Sequence, residues 1–337
     1  HDSVLVQEHP EYFHQDASGR PVTTVPEWSD VIDLKHPNPD LTAYLIETLQ
    51  GWVEFGVDGF RCDVASIIPQ SFWLEARQAV AQIKPGVIWL AEAVHAGFVG
   101  HRRASGLTGL SDSEVYAAFD LTYDYDIWPI WQLAVQGKIP ARRYVEMLRF
   151  QDCIYPANFI KMRCVENHDQ ARIMRIAPSQ KQGVAWTGFA AFNQGAFLIY
   201  AGQESAGRHT PSLFEIDKVE WGNYSLQPLL ARLAKLKKDP AMVKGKFVIT
   251  HADPAIQAAW ELPGNSLYGV FNVSGKQGYV LTSLPDGNYK DVLTDDTISV
   301  RGGKLLLPES VAILRAPELL MMRPAYCELL DYTYTAR

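Results

Sequence analysis

The sequence predicts an α/β fold, a mostly parallel sheet layered with helices, followed by a small antiparallel β domain. Two observations carry this. Between about residue 38 and residue 201, short apolar runs that end in polar or charged residues alternate with amphipathic stretches of helical period. Strands buried on both faces and separated by helices form parallel sheets, either open or closed into a barrel. After about residue 240 the rhythm changes to short alternating runs broken by turn residues, which is the pattern of an antiparallel sheet.

The first helix is read from "NPDLTAYLIETLQGWVEFG". Asn38 stands where a cap belongs, Pro39 suits the first helical position, and Gly56 suits the stop. Leu41, Leu45, Leu49, Trp52 and Phe55 recur at spacings of three and four. Val57 to Asp63 then reads as a strand, Ser71 to Lys84 as a helix with Phe72, Ala76, Val80 and Ile83 on one face, and Val87 to Ala91 as a second strand. Further on, a strand is expected over Ala117 to Leu121, helices over Ile127 to Gln136 and Pro140 to Phe150, and a strand ending near Val165. A helix over Gln180 to Phe192, a strand over Ala196 to Ala201 and a helix over Leu226 to Lys237 complete the α/β part. The β domain is read from "KFVITH", "AIQAAWEL", "SLYGVFNV", "GYVLTSL" and "ESVAILRA", with Pro263-Gly264-Asn265 and Pro285-Asp286-Gly287 as turns.

Composition sets limits on function. The chain has 337 residues, 47% hydrophobic and 20% charged, enough apolar material for a large core. A net charge of -7 without any basic run leaves no electrostatic footprint for nucleic acid or anionic lipid, and a neutral small molecule fits better. No apolar run approaches the roughly 20 residues of a membrane span. Cys62, Cys153, Cys164 and Cys327 are far apart and form no C-x-x-C pair, so they are expected as reduced, mostly buried thiols rather than as zinc ligands or a disulfide framework. Reduced thiols and the lack of a visible leader point to the cytoplasm. Secretion stays open, because the chain starts on His1 without a Met.

The informative stretch is "GFRCDVAS". Side chains alternate along a strand, so Arg61 and Asp63 share one face while Phe60 and Cys62 share the other. Asp63 is also the last residue before the chain leaves the strand, the end at which parallel α/β folds build their sites. A second apolar strand, in "VIWLAEAVH", ends in Glu92, and a third, in "RCVENHDQAR", leads to His168 and Asp169. A single acid at a strand end is more often a cap or an ion-pair partner, and Arg61 beside Asp63 could be a neutralising pair. Three carboxylates at three such ends are costly to converge unless they serve chemistry. Glycosidic bond cleavage wants this set. One carboxylate attacks the anomeric carbon, a second carboxyl protonates the leaving oxygen, and a third negative charge supports an oxocarbenium-like transition state. Arg61 is expected to keep the nucleophile ionised, and partial burial among acids to keep the acid protonated.

These segments resemble signature segments of the α-amylase family of glycoside hydrolases: "GFRCDVAS", "WLAEAVH" and "VENHDQAR" occur in the family's order. "DVIDLKHPNPDLTAYLIETLQGWVEFGVDGFR" is similar to the approach to the family's fourth strand, and "GAFLIYAGQE" to its eighth. The resemblance spans roughly Asp2 to Pro317. It implies a (β/α)8 TIM-type barrel, with Asp63 as nucleophile, Glu92 as general acid/base and Asp169 as the third acid. By the same resemblance Arg61 and His168 contact the nucleophile and the sugar hydroxyls, while His95, Tyr123 and Tyr125 sit in loops that could line the cleft, where aromatic faces suit sugar stacking.

The family barrel has three strands before this region, and "HDSVL" looks like the residues just after the third. The expectation is therefore a barrel truncated at its N-terminus, a fragment of a longer protein, since missing strands would leave exposed edges. The expected divisions are residues 1–240 for the barrel, with 1–30 the remnant of the excursion after the third strand, residues 241–317 for an antiparallel β-sandwich, and 318–337 for a tail. No cofactor is required by this reading. Calcium, often held by a long excursion in such families, is permitted but not implied, because no D-x-D loop is present, and no metal ligand is assigned.

The expected activity is retaining hydrolysis of α-glucosidic bonds in maltooligosaccharides or starch-like glucans. Transglycosylation, in which an acceptor sugar outcompetes water, and a silent family member that binds or assembles are the alternatives. An unrelated barrel lyase or aldolase wants a Schiff-base lysine or metal cluster at a strand end, and neither is visible. The partner is an α-glucan, and oligomeric state is left open.

Overall fold

The computed structural model describes residues 2–28 and 30–316. Cys327 and the tail expected over 318–337 lie outside the described residues. The described residues form two compact units that divide between Asp126 and Ile127.

In the first unit, Val4–Glu8 (α1) precedes the long helix Pro39–Phe55 (α2). As expected, Asn38 Oδ1 accepts from Leu41 N at 3.1 Å, Pro39 opens the helix, and Gly56 ends it at φ 118°, a conformation that costs glycine no Cβ clash. The strand Gly59–Cys62 (β1), the helix Gln70–Ile83 (α3) and the strand Ile88–Ala91 (β2) follow, then the helices Ala96–Ala104 (α4) and Asp112–Val115 (α5) and the strand Leu121–Tyr123 (β3). β1 pairs in parallel with β2, Cys62 opposite Ala91, and β2 pairs in parallel with β3, Ala91 opposite Thr122. This register brings the residues that follow β1 and β2 to one end of adjacent strands. Cys62 and Trp89 pack with Phe72, Ala76 and Val80 of α3 in one apolar cluster, so the face of β1 that carries Cys62 meets the helix layer.

One expected strand is displaced. Ala117 and Ala118 form the turn that closes α5, with Ala118 N bonded to Val115 O at 3.0 Å, and pairing begins only at Leu121. Val115, Ala118 and Phe119 belong to the core, so the apolar run reported packing rather than strand geometry. Asp120 explains the late start. Its N–H donates to Trp89 O at 3.0 Å, but it is its carboxylate that accepts from Trp89 N, at 2.8 Å, and from Arg77 Nη2 at 2.6 Å, so a side chain stands in the ladder where a carbonyl would.

The second unit begins with helices Trp128–Val135 (α6) and Ala141–Ile154 (α7) and the strand Lys161–Arg163 (β4). The helices Ile173–Ile176 (α8) and Gln180–Phe192 (α9) lead to Ala196–Phe197 (β5), which pairs in parallel with β4, Met162 opposite Ala196. β5 is shorter than the run 196–201 suggests, because Tyr200 and Gln203 close a turn there at 2.9 Å. After Gln227–Leu236 (α10) and Pro240–Lys244 (α11) come eight strands: Lys246–His251 (β6), Ile256–Glu261 (β7), Ser266–Phe271 (β8), Tyr279–Leu281 (β9), Gly287–Lys290 (β10), Thr297–Arg301 (β11), Lys304–Leu306 (β12) and Val311–Ala316 (β13). They form two antiparallel sheets ordered β13-β8-β7-β6 and β10-β11-β12-β9. Val248, Tyr268, Val270 and Leu314 of one sheet share a core with Val280, Val300 and Leu305 of the other, the packing of a β-sandwich. Cys62 and Cys164 are buried and Cys153 is exposed, all three as free thiols. Among the described residues no helix is long and apolar enough to cross a membrane.

Candidate active site

Arg61 is the hub of the site in the first unit. It lies on β1, and its Nη1 donates to Asp63, its Nη2 lies 2.9 Å from Glu92 Oε1, and its Nε donates to Tyr123 Oη at 3.3 Å. Its guanidinium also lies 5.5 Å from the centre of the Tyr123 ring. Burial pulls the guanidinium down, but the Tyr123 hydrogen bond, the Glu92 charge and the Asp63 bond outweigh it, and the net shift is upward. Arg61 is a fixed cation here. The carboxyl groups of Asp63 and Glu92 therefore share one partner.

The two carboxylates occupy different surroundings. The Asp63 side chain is 77% exposed and the Glu92 side chain 9%. Glu92 is tied to β1 twice, through its backbone N–H to Cys62 O at 3.0 Å and through Oε2, which accepts from Val64 N at 2.8 Å. That second bond requires an unusual backbone. Val64 sits at φ 39°, ψ 43°, in the left-handed region that a β-branched residue rarely adopts. Strain of this kind survives where the surroundings over-determine it, and here it aims a peptide N–H at a carboxylate. Beneath them, burial pushes the Cys62 thiol up to about 12, so Cys62 is packing rather than a nucleophile.

Tyr123, on β3, is buried, and its ring lies 5.1 Å from that of half-buried Tyr125. Tyr123 is thus the hydrogen-bond partner of Arg61, with its hydroxyl turned to the site. His95 caps α4, with Nδ1 accepting from Phe98 N at 3.2 Å, and its ring is exposed.

His168 and Asp169 belong to the second unit. His168 Nε2 lies 3.1 Å from Asp169 Oδ2, and Asp169 N donates to Asn167 Oδ1 at 3.0 Å. Gln170 Oε1 accepts from Trp128 Nε1 at 2.8 Å. Under this segment lies a pair that sequence reasoning missed. Arg172 Nη1 is 2.8 Å from Glu166 Oε1, and Ile173 N donates to Glu166 Oε2 at 2.8 Å. Both side chains are buried. Burial raises the Glu166 carboxyl against the opposing pull of the Arg172 and Ile173 bonds. Arg172 also donates to Ala201 O and His209 O at 2.8 and 2.9 Å and covers the Tyr200 ring at 4.3 Å. The signal was present as two opposite charges flanking "NHDQA", but spacing alone does not separate a buried clamp from exposed charges.

Among the described residues no group of three His, Cys, Asp or Glu side chains is placed to hold a metal ion, and no metal site is assigned. Chemically, the first unit offers an exposed carboxylate and a buried one at adjacent strand ends, joined by one guanidinium.

Comparison with known proteins agrees with the segments that frame this geometry. The family model described as "Alpha amylase, catalytic domain" matches residues 27–241, and that described as "Bacterial Alpha amylase C-terminal domain" matches residues 248–314. A solved alpha-amylase from Lactobacillus plantarum is 38% identical with a TM-score of 0.86, covering 94% of this chain and 75% of that one. A solved maltogenic alpha-amylase from Thermotoga neapolitana is 30% identical with a TM-score of 0.78, covering 94% and 74%. A cyclomaltodextrinase from Thermoanaerobacter pseudethanolicus is 27% identical over 296 residues, 82% of this chain and 48% of its own length. The chain thus spans about half the length of that curated relative. The architecture is a (β/α)8 barrel, of which five parallel strands, β1 to β5, are among the described residues, with a C-terminal antiparallel β domain. With its catalytic-domain model matched over residues 27–241, the chain belongs to the α-amylase family.

Proposed function

We propose that the chain carries a retaining glycoside hydrolase activity on α-glucosidic bonds of maltooligosaccharides or starch-like glucans, acting by double displacement. The observation that carries this reading is Arg61 lying against both Asp63 and Glu92 at the ends of paired parallel strands. The names of its relatives, cyclomaltodextrinase and maltogenic amylase among them, support α-glucans as the substrate class.

Asp63, exposed at the strand end, attacks the anomeric carbon as Glu92 gives its proton to the leaving oxygen, which forms a glycosyl ester on Asp63. Glu92 then takes a proton from the water that attacks this ester, and Asp63 leaves as carboxylate. Asp169 is the third acid, holding and distorting the sugar, and Arg61 and His168 contact the nucleophile and the sugar hydroxyls. Tyr125 and His95 line the cleft, and Tyr123 acts through Arg61.

Proton NMR of the first products formed from a maltooligosaccharide tests the stereochemistry. The α-anomer appearing before mutarotation is expected, with turnover abolished in Asp63→Asn. Glu92→Gln is expected to lower turnover about 10²- to 10⁴-fold, with partial rescue on substrates whose leaving group needs no proton. The β-anomer first, or equal loss on activated and natural substrates, refutes the assignment of roles.

A further inference from the structure

Two aromatic rings in the chain between β5 and α10 stand open to solvent, with no task in the core of the second unit. Trp221 and Tyr224 are 54% and 43% exposed, their ring centres lie 6.3 Å apart, and their planes differ by 25°. A single exposed aromatic is ordinary, but a near-parallel pair makes a surface. Between them the chain carries only Gly222 and Asn223, so this stretch offers ring faces and one amide and no charge. Asn223 Oδ1 accepts from Ser225 N at 3.2 Å, which leaves its exposed side-chain N–H groups to donate elsewhere.

The backbone beneath the rings is costly and closely held. Tyr224 sits at φ 57° and Ala206 at φ 54°, both in the left-handed region that residues with a Cβ rarely occupy. Tyr224 N donates to Ser205 Oγ at 3.1 Å, Leu226 N donates to Glu204 O at 2.8 Å, and a Cβ added at Gly222 would lie 3.3 Å from that of Ser205. The aromatic stretch is thereby pinned to the turn Gln203–Ser205. Backbone strain gathers at ligand clamps, and here it fixes two rings that the core does not use.

That turn follows β5 and the His168–Asp169 segment follows β4, so the parallel pairing of these strands brings both to the end where such folds build their sites. Arg172 joins them, because it donates from the one segment to Ala201 O and His209 O of the other. The rings belong to the rim on which Asp169 stands.

We propose that Trp221 and Tyr224 form a platform on which glucosyl units of an α-linked glucan stack. This rests on the α-glucan reading above and adds two residues that determine how the chain is held. A glucose ring presents C–H groups on its faces and hydroxyls at its edge, which suits aromatic faces beside an amide donor. A charged ligand would find no counter-charge between the rings. Successive sugars turn relative to one another in an α-1,4 chain and lie flat in a β-1,4 chain, so two rings tilted by 25° fit the former.

Isothermal titration calorimetry in the Asp63→Asn background, where substrate is expected to survive, compares maltohexaose with cellohexaose. Maltohexaose is expected to bind saturably and cellohexaose not. Adding Trp221→Ala should weaken maltohexaose binding about threefold to tenfold, and Tyr224→Asn, chosen because asparagine tolerates positive φ, by a similar factor. Both replace exposed side chains, and circular dichroism checks each fold. No saturable binding of maltohexaose, affinity unchanged in both variants, or cellohexaose bound as tightly as maltohexaose would each overturn the proposal. Initial rates on maltohexaose with Asp63 intact separate it from the glycosidase reading. Turnover with KM unchanged in both variants would overturn the platform and keep that reading, whereas binding lost in both variants without any turnover in the native chain would do the reverse.

Discussion

At the scale of the residue, Val64 separates stability from function. Its left-handed backbone costs on the order of 1–2 kcal/mol for a residue with a branched Cβ, yet it supplies the N–H that holds Glu92 Oε2. Val64→Gly removes the steric cost and loosens the geometry. It should leave the melting temperature unchanged or higher while turnover on a maltooligosaccharide falls severalfold, read by calorimetry and initial rates on one preparation. Unchanged turnover would mean that the strain has no catalytic purpose. Cysteine behaviour is a second residue-scale test. Iodoacetamide at pH 8 followed by peptide mass mapping should modify exposed Cys153 and spare Cys62, whose thiol is pushed up to about 12 by burial. The sequence showed Arg61, Asp63 and Glu92 clearly because period two and strand-end position fix where a side chain can point. It gave no hint of Val64, because a positive φ leaves no trace in composition unless the residue is glycine or asparagine. Nor did it show that Tyr123 serves Arg61, since an aromatic residue near a site is as often packing.

Between elements, the Glu166–Arg172 clamp decides whether the segment after β4 keeps its shape. Arg172 reaches carbonyls at Ala201 and His209, so a single guanidinium ties the His168–Asp169 segment to the chain that follows β5. Glu166→Gln leaves that guanidinium buried without its charge partner and should cost about 3–5 kcal/mol, measured by urea unfolding. A loss below 1 kcal/mol would show that the carbonyls alone satisfy Arg172. Gly195 provides a backbone counterpart, because at φ 100° an added Cβ would come within 2.1 Å of Lys161 O and collide with β4 itself. The helices were legible in the sequence because their caps and periodic faces are local signals, and α2 begins and ends within a residue of the expected bounds. The strands were less so. β3 was misplaced because a turn packed on the core carries the same apolar residues as a strand, and β10 to β12 were missed because "GNYK", "TISVR" and "KLL" bury only alternate or isolated side chains. They pair in sequence order, β10 with β11 and β11 with β12 across the Gly302-Gly303 turn, and only the β12–β9 pairing joins residues more distant in the chain.

For the whole molecule, one buried lysine should leave a mark on the pH dependence of stability. Lys237, the C-terminal cap of α10, donates to Asn193 O and Gly195 O, both at 2.8 Å, and so joins this helix to the turn before β5. Burial, with the nearby Arg163 charge adding to it, lowers its ammonium from the ordinary 10.5 to about 7. Below pH 7 both folded and unfolded chains hold the proton, and the group's contribution is flat and at its least favourable. Between about 7 and 10.5 the unfolded chain keeps a proton that the folded chain releases, so stability from this group rises with pH, by at most about 1.4 kcal/mol per unit. Lys237→Met lacks that titration. The difference in unfolding free energy, native chain minus variant, measured in urea at pH 7, 8 and 9, should therefore climb with pH while contributions from all other groups cancel. A flat difference would place the lysine's proton on the folded chain throughout, held by the two carbonyls, and would require those hydrogen bonds to outweigh its burial.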